Sequence, residues 1–172
     1  LDTIDEIIVK EGISFDKTEI AKNLTLFLYP DDSDEAGRRL RVFQQYLMVS
    51  AGAQLILAES AARGCNYHDL EDYAAIQIND THPSMVIPEL IRLLEEKGIA
   101  FEEAVDIVTK TCAYTNHTIL AEALEKWPCA YLDSIVPQLM PIIEKLDELA
   151  RTRTEDEALA VIDANNLVHM AH

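Results

Sequence analysis

Positive charge is scarce in this chain: 14 Lys and Arg stand against 31 Asp and Glu, a formal net charge of −17. A protein that neutralises a phosphate backbone needs a basic face to displace counterions, so nucleic acid is excluded as a partner, and an acidic membrane surface is disfavoured on the same ground. Long hydrophobic runs are missing as well. No apolar stretch approaches the length needed to span a bilayer, and no basic segment followed by an apolar one reads as a secretory leader. The expectation is a soluble, cytoplasmic protein whose surplus carboxylates form a solvated surface. Cysteine is limited to Cys65, Cys112 and Cys129, odd in number, widely separated and without C-x-x-C spacing, which argues against a disulfide framework or a zinc knuckle. Cys112 lies inside an apolar run and reads as a packed thiol, because a catalytic thiolate needs an electropositive, partly open setting. Ser33, Ser84 and Ser134 lack a G-x-S-x-G elbow, so a hydrolytic triad finds no support. Internal repeats and low-complexity tracts are absent too.

What is present is 172 residues at 49% hydrophobic, enough for one core and close to the size of one domain, 1–172. The pattern predicts a short helix over 3–10 and a capped helix near Glu19. An apolar stretch over 24–29 then ends at Pro30, and an acidic loop follows up to Gly37. From Leu40 through Phe43, Leu47, Met48, Ala51, Leu55 and Ala58, apolar positions recur at helical spacing until Gly64. Residues 74–78 read as a strand. Pro83 and Pro88 confine the entry of a helix whose buried face is Leu90, Ile91, Leu93 and Leu94, ended by Gly98. A second helix over 101–110 leads to a strand over 111–114. A right-handed crossover places the two strands parallel, with Asn79-Asp80-Thr81-His82-Pro83 and Tyr114-Thr115-Asn116-His117-Thr118 at the same sheet edge. Ligands of open α/β sheets bind just beyond such carboxyl ends. Further on, Trp127-Pro128 closes a predicted helix over 122–126, helical pattern interrupted by Pro137 and Pro141 runs to Arg153, and Thr154 with Glu157 forms a capping box for a last helix through Asp163. The fold class is α/β, predominantly helical with a few parallel strands.

The two clusters admit several chemistries. His82, His117 and Asp80 are metal-ligand types, but neither histidine belongs to an i, i+3 or i, i+4 pair and no third ligand is evident, so no metal site is expected. Read locally, Asp80 to Pro83 is a helix entry with Asp or Thr as cap, and Asn116 to Thr118 is a turn with backbone-bonded side chains. Read together, two strand ends carrying histidine suit a carbohydrate pocket, since imidazole donates to a hydroxyl while its other nitrogen is fixed. Asp31 and Asp32 read either as an acid and base pair or as caps and solvated charge before a helix.

The words AAIQINDTHPSMVIPELIRLL and TKTCAYTNHTILAEALEKWP, preceded at compatible spacing by NLTLFLYPDDSDEAG and LRVFQQYLMVSA, resemble the α-glucan (glycogen, starch, maltodextrin) phosphorylases. The resemblance implies a fragment of the amino-terminal domain of such an enzyme, a partial doubly wound, glycosyltransferase GT-B-like domain. The whole enzyme phosphorolyses α-1,4-glucans to α-glucose 1-phosphate with retention. By the same resemblance His117 is the catalytic position: its ring meets the primary hydroxyl of the glucosyl unit, and its main-chain carbonyl faces the anomeric carbon. Asp80 and His82 stand beside the pocket, Thr118, Glu122, Ala123 and Glu125 form its adjoining wall, and Asp32 belongs to a gate loop after Tyr29-Pro30. That loop departs from the family's Asn-Asp-Asn, reading Asp31, Asp32 and Ser33, and Ser33 has a shorter reach toward a glucosyl hydroxyl. Pyridoxal phosphate is implied for the whole enzyme, held by a lysine beyond this sequence, with no cofactor site here. The implied partners are α-1,4-glucan and phosphate, and the implied assembly of the full-length protein is a homodimer. Asp34, Glu35, Ala58 and Glu59 stand where animal members carry aromatic residues and an arginine pair, so the resemblance does not extend to activation by AMP. The alternative is a stand-alone helical module that binds a glucan or a protein without chemistry.

Overall fold

The computed structural model describes residues 18–25, 30–117, 124–156 and 159–170, which group into two compact units, residues 1–44 and 45–172. The predicted helix over 3–10 and most of the apolar stretch before Pro30 lie outside the described residues. In the first unit a single turn, α1 (Ile20–Asn23), precedes the start of the long helix α2 (Glu35–Ala62). Helix α2 begins five residues before the predicted Leu40 because the acidic loop caps it. Asp34 Oδ1 accepts the Gly37 amide at 2.7 Å, which satisfies an orphan donor of the first turn. Only glycine fits at that place: a Cβ on Gly37 would lie 1.8 Å from the Asp31 carbonyl oxygen. At the far end the helix stops as expected, with Gly64 at φ +102 and the Cys65 amide returning to the Ser60 carbonyl.

The second unit holds the rest of α2 and a parallel pair with its connecting helices. After a 3-10 turn (Leu70–Asp72), strand β1 (Ile76–Asn79) leads through α3 (Val86–Glu96) and α4 (Phe101–Thr111) to β2 (Cys112–Thr115). The strands are parallel in the register Ile76↔Cys112 to Asn79↔Thr115, as the crossover argument requires. Helix α3 buries Leu90, Ile91 and Leu94 completely, packs on α4 and on α6 (Met140–Arg153), and gives way to Gly98 at φ +88. Ile78, Leu70, Ile107 and Leu132 complete the core around it, none more than 2% exposed.

The chain after residue 123 departs from the prediction. Leu124 and Glu125 are not helical, and Lys126–Pro128 is a strand, β3, pairing antiparallel with β4 (Leu167–His169) so that Trp127 faces Val168. The exposed-buried-exposed alternation of Lys126, Trp127 and Pro128 is the period of a strand, and buried Trp127 stacks on Tyr131 of α5 (Cys129–Ile135) at 5.7 Å. Pro137 separates α5 from α6, whereas Pro141 opens α6 rather than breaking it. Thr154 does not start a helix either. It ends α6 in extended geometry, and its hydroxyl accepts the Asp156 amide. Farther on, Asp147 Oδ1 takes the Ile162 amide at 2.9 Å, Arg151 donates to the Ile162 carbonyl at 2.7 Å, and Ile162 bridges to Val168. Side chains of α6 thus hold the chain at Ile162, and Glu157 of the expected capping box lies outside the described residues.

Candidate functional site

The site grows from the ends of β1 and β2. The Asp80 amide donates to the Thr115 carbonyl at 2.8 Å, carrying the ladder one residue past Asn79. The chain then turns sharply, with Asp80 in the left-handed region at φ 62, a conformation that Asp tolerates better than most residues because of its short polar side chain. The turn aims the Asp80 carboxylate across to the other strand, where Oδ1 accepts the backbone amide of His117 at 2.6 Å. With its Nε2 protonated, the His117 ring donates to Asn79 Oδ1 at 3.4 Å. Alongside, Gln77 Nε2 donates to Thr115 Oγ1 at 2.7 Å. Both polar clusters therefore meet at one edge, joined by a charge-assisted bond that fixes the His117 main chain. Burial and then the negative charge of Asp80 push the Tyr114 phenol above its usual pKa.

The helix-entry reading of Asp80 and Thr81 is not what forms. Helix α3 starts at Val86 after a turn closed by the Ser84 amide on the Thr81 carbonyl, and its cap, Met85, makes no side-chain capping bond. Asp80 is committed to His117. Thr81, 5% exposed, donates its hydroxyl to Glu125 Oε2 at 3.1 Å, and Gln45 on α2 donates to Glu125 Oε1 at 3.3 Å. His82, by contrast, lines a cleft of about 310 Å³ with Gln45, Val49, Gln77, Ile78 and Pro83. Of the expected site residues, then, Asp80 and His117 are bonded to one another, and Glu125 is bonded to the residue next to Asp80. Thr118, Glu122 and Ala123 lie outside the described residues.

Asp32 and Ser33 belong to the unit 1–44. There Asp32 pairs with Arg41 at 3.0 Å, while the Ser33 amide donates to Asp31 Oδ1 at 3.1 Å, an Asx turn. Neither Asp31 nor Asp32 is set up as an acid and base pair; one closes a turn and the other neutralises an arginine.

Thr81 was expected only as a helix cap, and Gln45 was not singled out. Gln45 had a signal: it shares a helical face with Val49, Gly52 and Ile56, and a polar residue on an apolar stripe asks for a partner. Glu89 gave none. It is fully buried on α3, where its carboxylate accepts from Ser50 at 2.7 Å, Tyr46 at 3.1 Å, and Arg92 Nε and Nη2 at 2.8 and 2.9 Å, and Arg92 also pairs with Glu96. Burial alone would raise the Glu89 pKa, but the bonds from Arg92, Ser50 and Tyr46 together hold it below the usual carboxylate value. This network ties α2 to the helix that follows the Asp80 turn. Burial pushes the Cys112 thiol up to about 11, which leaves it protonated at neutral pH. Among the described residues no group of three His, Cys, Asp or Glu side chains is placed to hold a metal ion, and no helix is long and apolar enough to cross a membrane.

Residues 8–172 match the carbohydrate phosphorylase family. Over all 172 residues the chain is 63% identical to maltodextrin phosphorylase of Streptococcus pneumoniae and spans 23% of that protein. It is 43% identical over 136 residues to glycogen phosphorylase 2 of Dictyostelium discoideum, covering 78% of this chain and 14% of the relative. Against the muscle form of glycogen phosphorylase from Ovis aries it is 41% identical over 138 residues, 75% of this chain and 16% of the relative. The chain thus spans less than a quarter of the length of each. These relatives carry the names of enzymes, which favours the catalytic reading over a stand-alone binding module.

Proposed function

Because the chain belongs to the carbohydrate phosphorylase family, we propose that it supplies part of the glucosyl pocket of an α-glucan phosphorylase, which splits α-1,4-glucans with phosphate to give α-glucose 1-phosphate with retention. The observation that carries this reading is the bond from the His117 amide to Asp80, which brings both polar clusters to the carboxyl edge of a parallel pair. In the proposed reaction, breaking the glycosidic bond develops positive charge at the anomeric carbon. The His117 main-chain carbonyl is the dipole that meets this charge, and Asp80 anchors the same residue by its amide. The His117 ring, steadied by Asn79, hydrogen-bonds the primary hydroxyl of the same sugar. His82 stands beside the pocket with Asp80, Glu125 belongs to its adjoining wall with Thr118, Glu122 and Ala123, and Asp32 and Ser33 belong to the loop that admits the glucan.

Pyridoxal phosphate, when bound to the whole enzyme, would supply a phosphate group for proton transfer. Lys110 and Lys145 do not fit it. A lysine that forms an imine needs a desolvated, lowered amine, whereas Lys110 is held above its usual value by hydrogen bonding and charge from Asp106, and Lys145 sits over the Phe101 ring beside Glu95. We assign the cofactor to a lysine elsewhere in the whole enzyme. The substrates are α-1,4-glucan and inorganic phosphate, and the assembly is a homodimer in the cytoplasm.

The test is turnover of the full-length protein encoded by the gene, before and after His117→Ala. Phosphate-dependent release of glucose 1-phosphate from maltoheptaose that falls by roughly tenfold in the variant, the loss of the ring's hydrogen bond, supports the reading. Full turnover in the variant removes the His117 ring from the proposed contact with the glucosyl hydroxyl.

A further inference from the structure

We propose that Thr81 is a positioning residue for this reaction, acting through Glu125 as Asp80 acts through the His117 backbone. The inference deepens the phosphorylase reading and rests on it. His117 and Glu125 are eight residues apart in sequence, and two consecutive residues of one turn hold them. Asp80 takes the His117 amide at 2.6 Å, and Thr81 donates to Glu125 Oε2 at 3.1 Å. The turn itself is locked. Its entry is fixed by the Asp80 amide on the Thr115 carbonyl at 2.8 Å, and its exit by the Ser84 amide on the Thr81 carbonyl at 3.1 Å.

Glu125 is restrained at three points. Thr81 and Gln45, each 5% exposed, take one carboxylate oxygen apiece, and the Met170 amide donates to the Glu125 carbonyl at 3.1 Å. Two donors from different elements, each with its side chain out of water, fix where the carboxylate points and not merely that it is satisfied. A buried hydroxyl with no function in packing could be a valine, which has nearly the same shape and no polar group to desolvate. Thr81 instead spends its hydroxyl on the residue that flanks the proposed pocket wall. A displacement of about 1 Å in a positioning contact lowers turnover by up to roughly a hundredfold without contact between the displaced residue and the reacting atoms. Thr81 is therefore expected to tune kcat through geometry.

The experiment uses the full-length protein as wild type, Thr81→Val, Thr81→Ser, Glu125→Ala and the pair Thr81→Val/Glu125→Ala. Phosphorolysis of maltoheptaose is measured with thermal unfolding followed in parallel. The expected result is a fall in kcat of roughly tenfold for Thr81→Val, with KM for maltoheptaose and for phosphate within about twofold of wild type and recovery in Thr81→Ser, which keeps the hydroxyl. Because Thr81 acts through Glu125, the pair should lose no more turnover than Glu125→Ala alone. Wild-type kcat in Thr81→Val, or losses in the pair that multiply, would overturn the role of Thr81 while leaving the phosphorylase reading intact. Equal loss of turnover in Thr81→Val and Thr81→Ser, accompanied by a lowered unfolding temperature, would assign the residue to the fold and overturn it as well. A wild-type protein that releases no glucose 1-phosphate fails at the earlier step and removes both readings together.

Discussion

Replacing Arg92 by Leu leaves the Glu89 carboxylate fully buried with two of its four donor contacts gone, those from Arg92 Nε and Nη2, and only Ser50 and Tyr46 remaining. Removing one partner of a buried pair destabilises by about 3–5 kcal/mol, and the lower end applies because the Arg92 side chain keeps 21% of its surface exposed. A loss of about 3 kcal/mol corresponds to roughly 150-fold faster exchange of amides that open with the affected element. The assay is native-state hydrogen exchange of the full-length protein, read at Leu90, Ile91, Leu93 and Leu94 of α3. Exchange within about threefold of wild type would refute the argument that the network holds α3 against α2. The control is the double variant Glu89→Leu/Arg92→Leu, which removes both charges and should restore much of the protection lost in Arg92→Leu. The same network sets a pH dependence. The Glu89 pKa is lowered in the folded protein, so its contribution is fully present above the unfolded value of 4.5 and is lost as pH falls through the lower folded value.

Glu89→Gln should therefore flatten the acid-side loss of α3 protection, and an unchanged acid profile would show that other carboxylates dominate it. At pH 8 the Cys112 thiol, pushed up to about 11 by burial, should react with iodoacetamide about a hundredfold more slowly than an unperturbed cysteine, as read by mass spectrometry of the native protein. Labelling at the rate of a free thiol would contradict that burial. Asp147→Ala removes the acceptor of the Ile162 amide and should destabilise the protein by about 1–2 kcal/mol, visible in denaturant titration. An unshifted midpoint would show that this contact does not hold the segment. AMP should leave phosphorolysis by the full-length protein unchanged, since Asp34, Glu35, Ala58 and Glu59 offer no guanidinium group for its phosphate.

The part of the fold nearest the site was legible because its signals are local. Leu90, Ile91, Leu93 and Leu94 carry helical periodicity, Gly64 and Gly98 take the positive φ that ends helices, and the short apolar runs at 74–78 and 111–114 overlap β1 and β2. A parallel crossover puts the clusters around Asp80 and His117 at the same sheet edge, where the strands pair Asn79 with Thr115. Strand β3 was not legible, because three residues carry little periodicity and their partner, Leu167–His169, lies far along the chain. Thr154 misled for a chemical reason. A hydroxyl that can cap a helix can equally accept an amide two residues on, and Asp147 and Arg151 hold the chain farther along at Ile162. At the site, the identity of Asp80 was readable but its task was not: the same short acid serves as a helix cap or as a clamp on a distant amide, and only the turn at φ 62 decides. Glu89 was hidden by the ordinary expectation that a helical glutamate faces water.

Phosphorolysis with retention is read most directly from the stereochemistry of its product. Full-length protein is mixed with maltoheptaose and inorganic phosphate, pyridoxal phosphate is supplied, and the anomeric proton of the product is followed by NMR. Phosphate-dependent accumulation of α-glucose 1-phosphate is expected, reduced in proportion to turnover by His117→Ala. Formation of the β anomer, or of free glucose irrespective of phosphate, would contradict it.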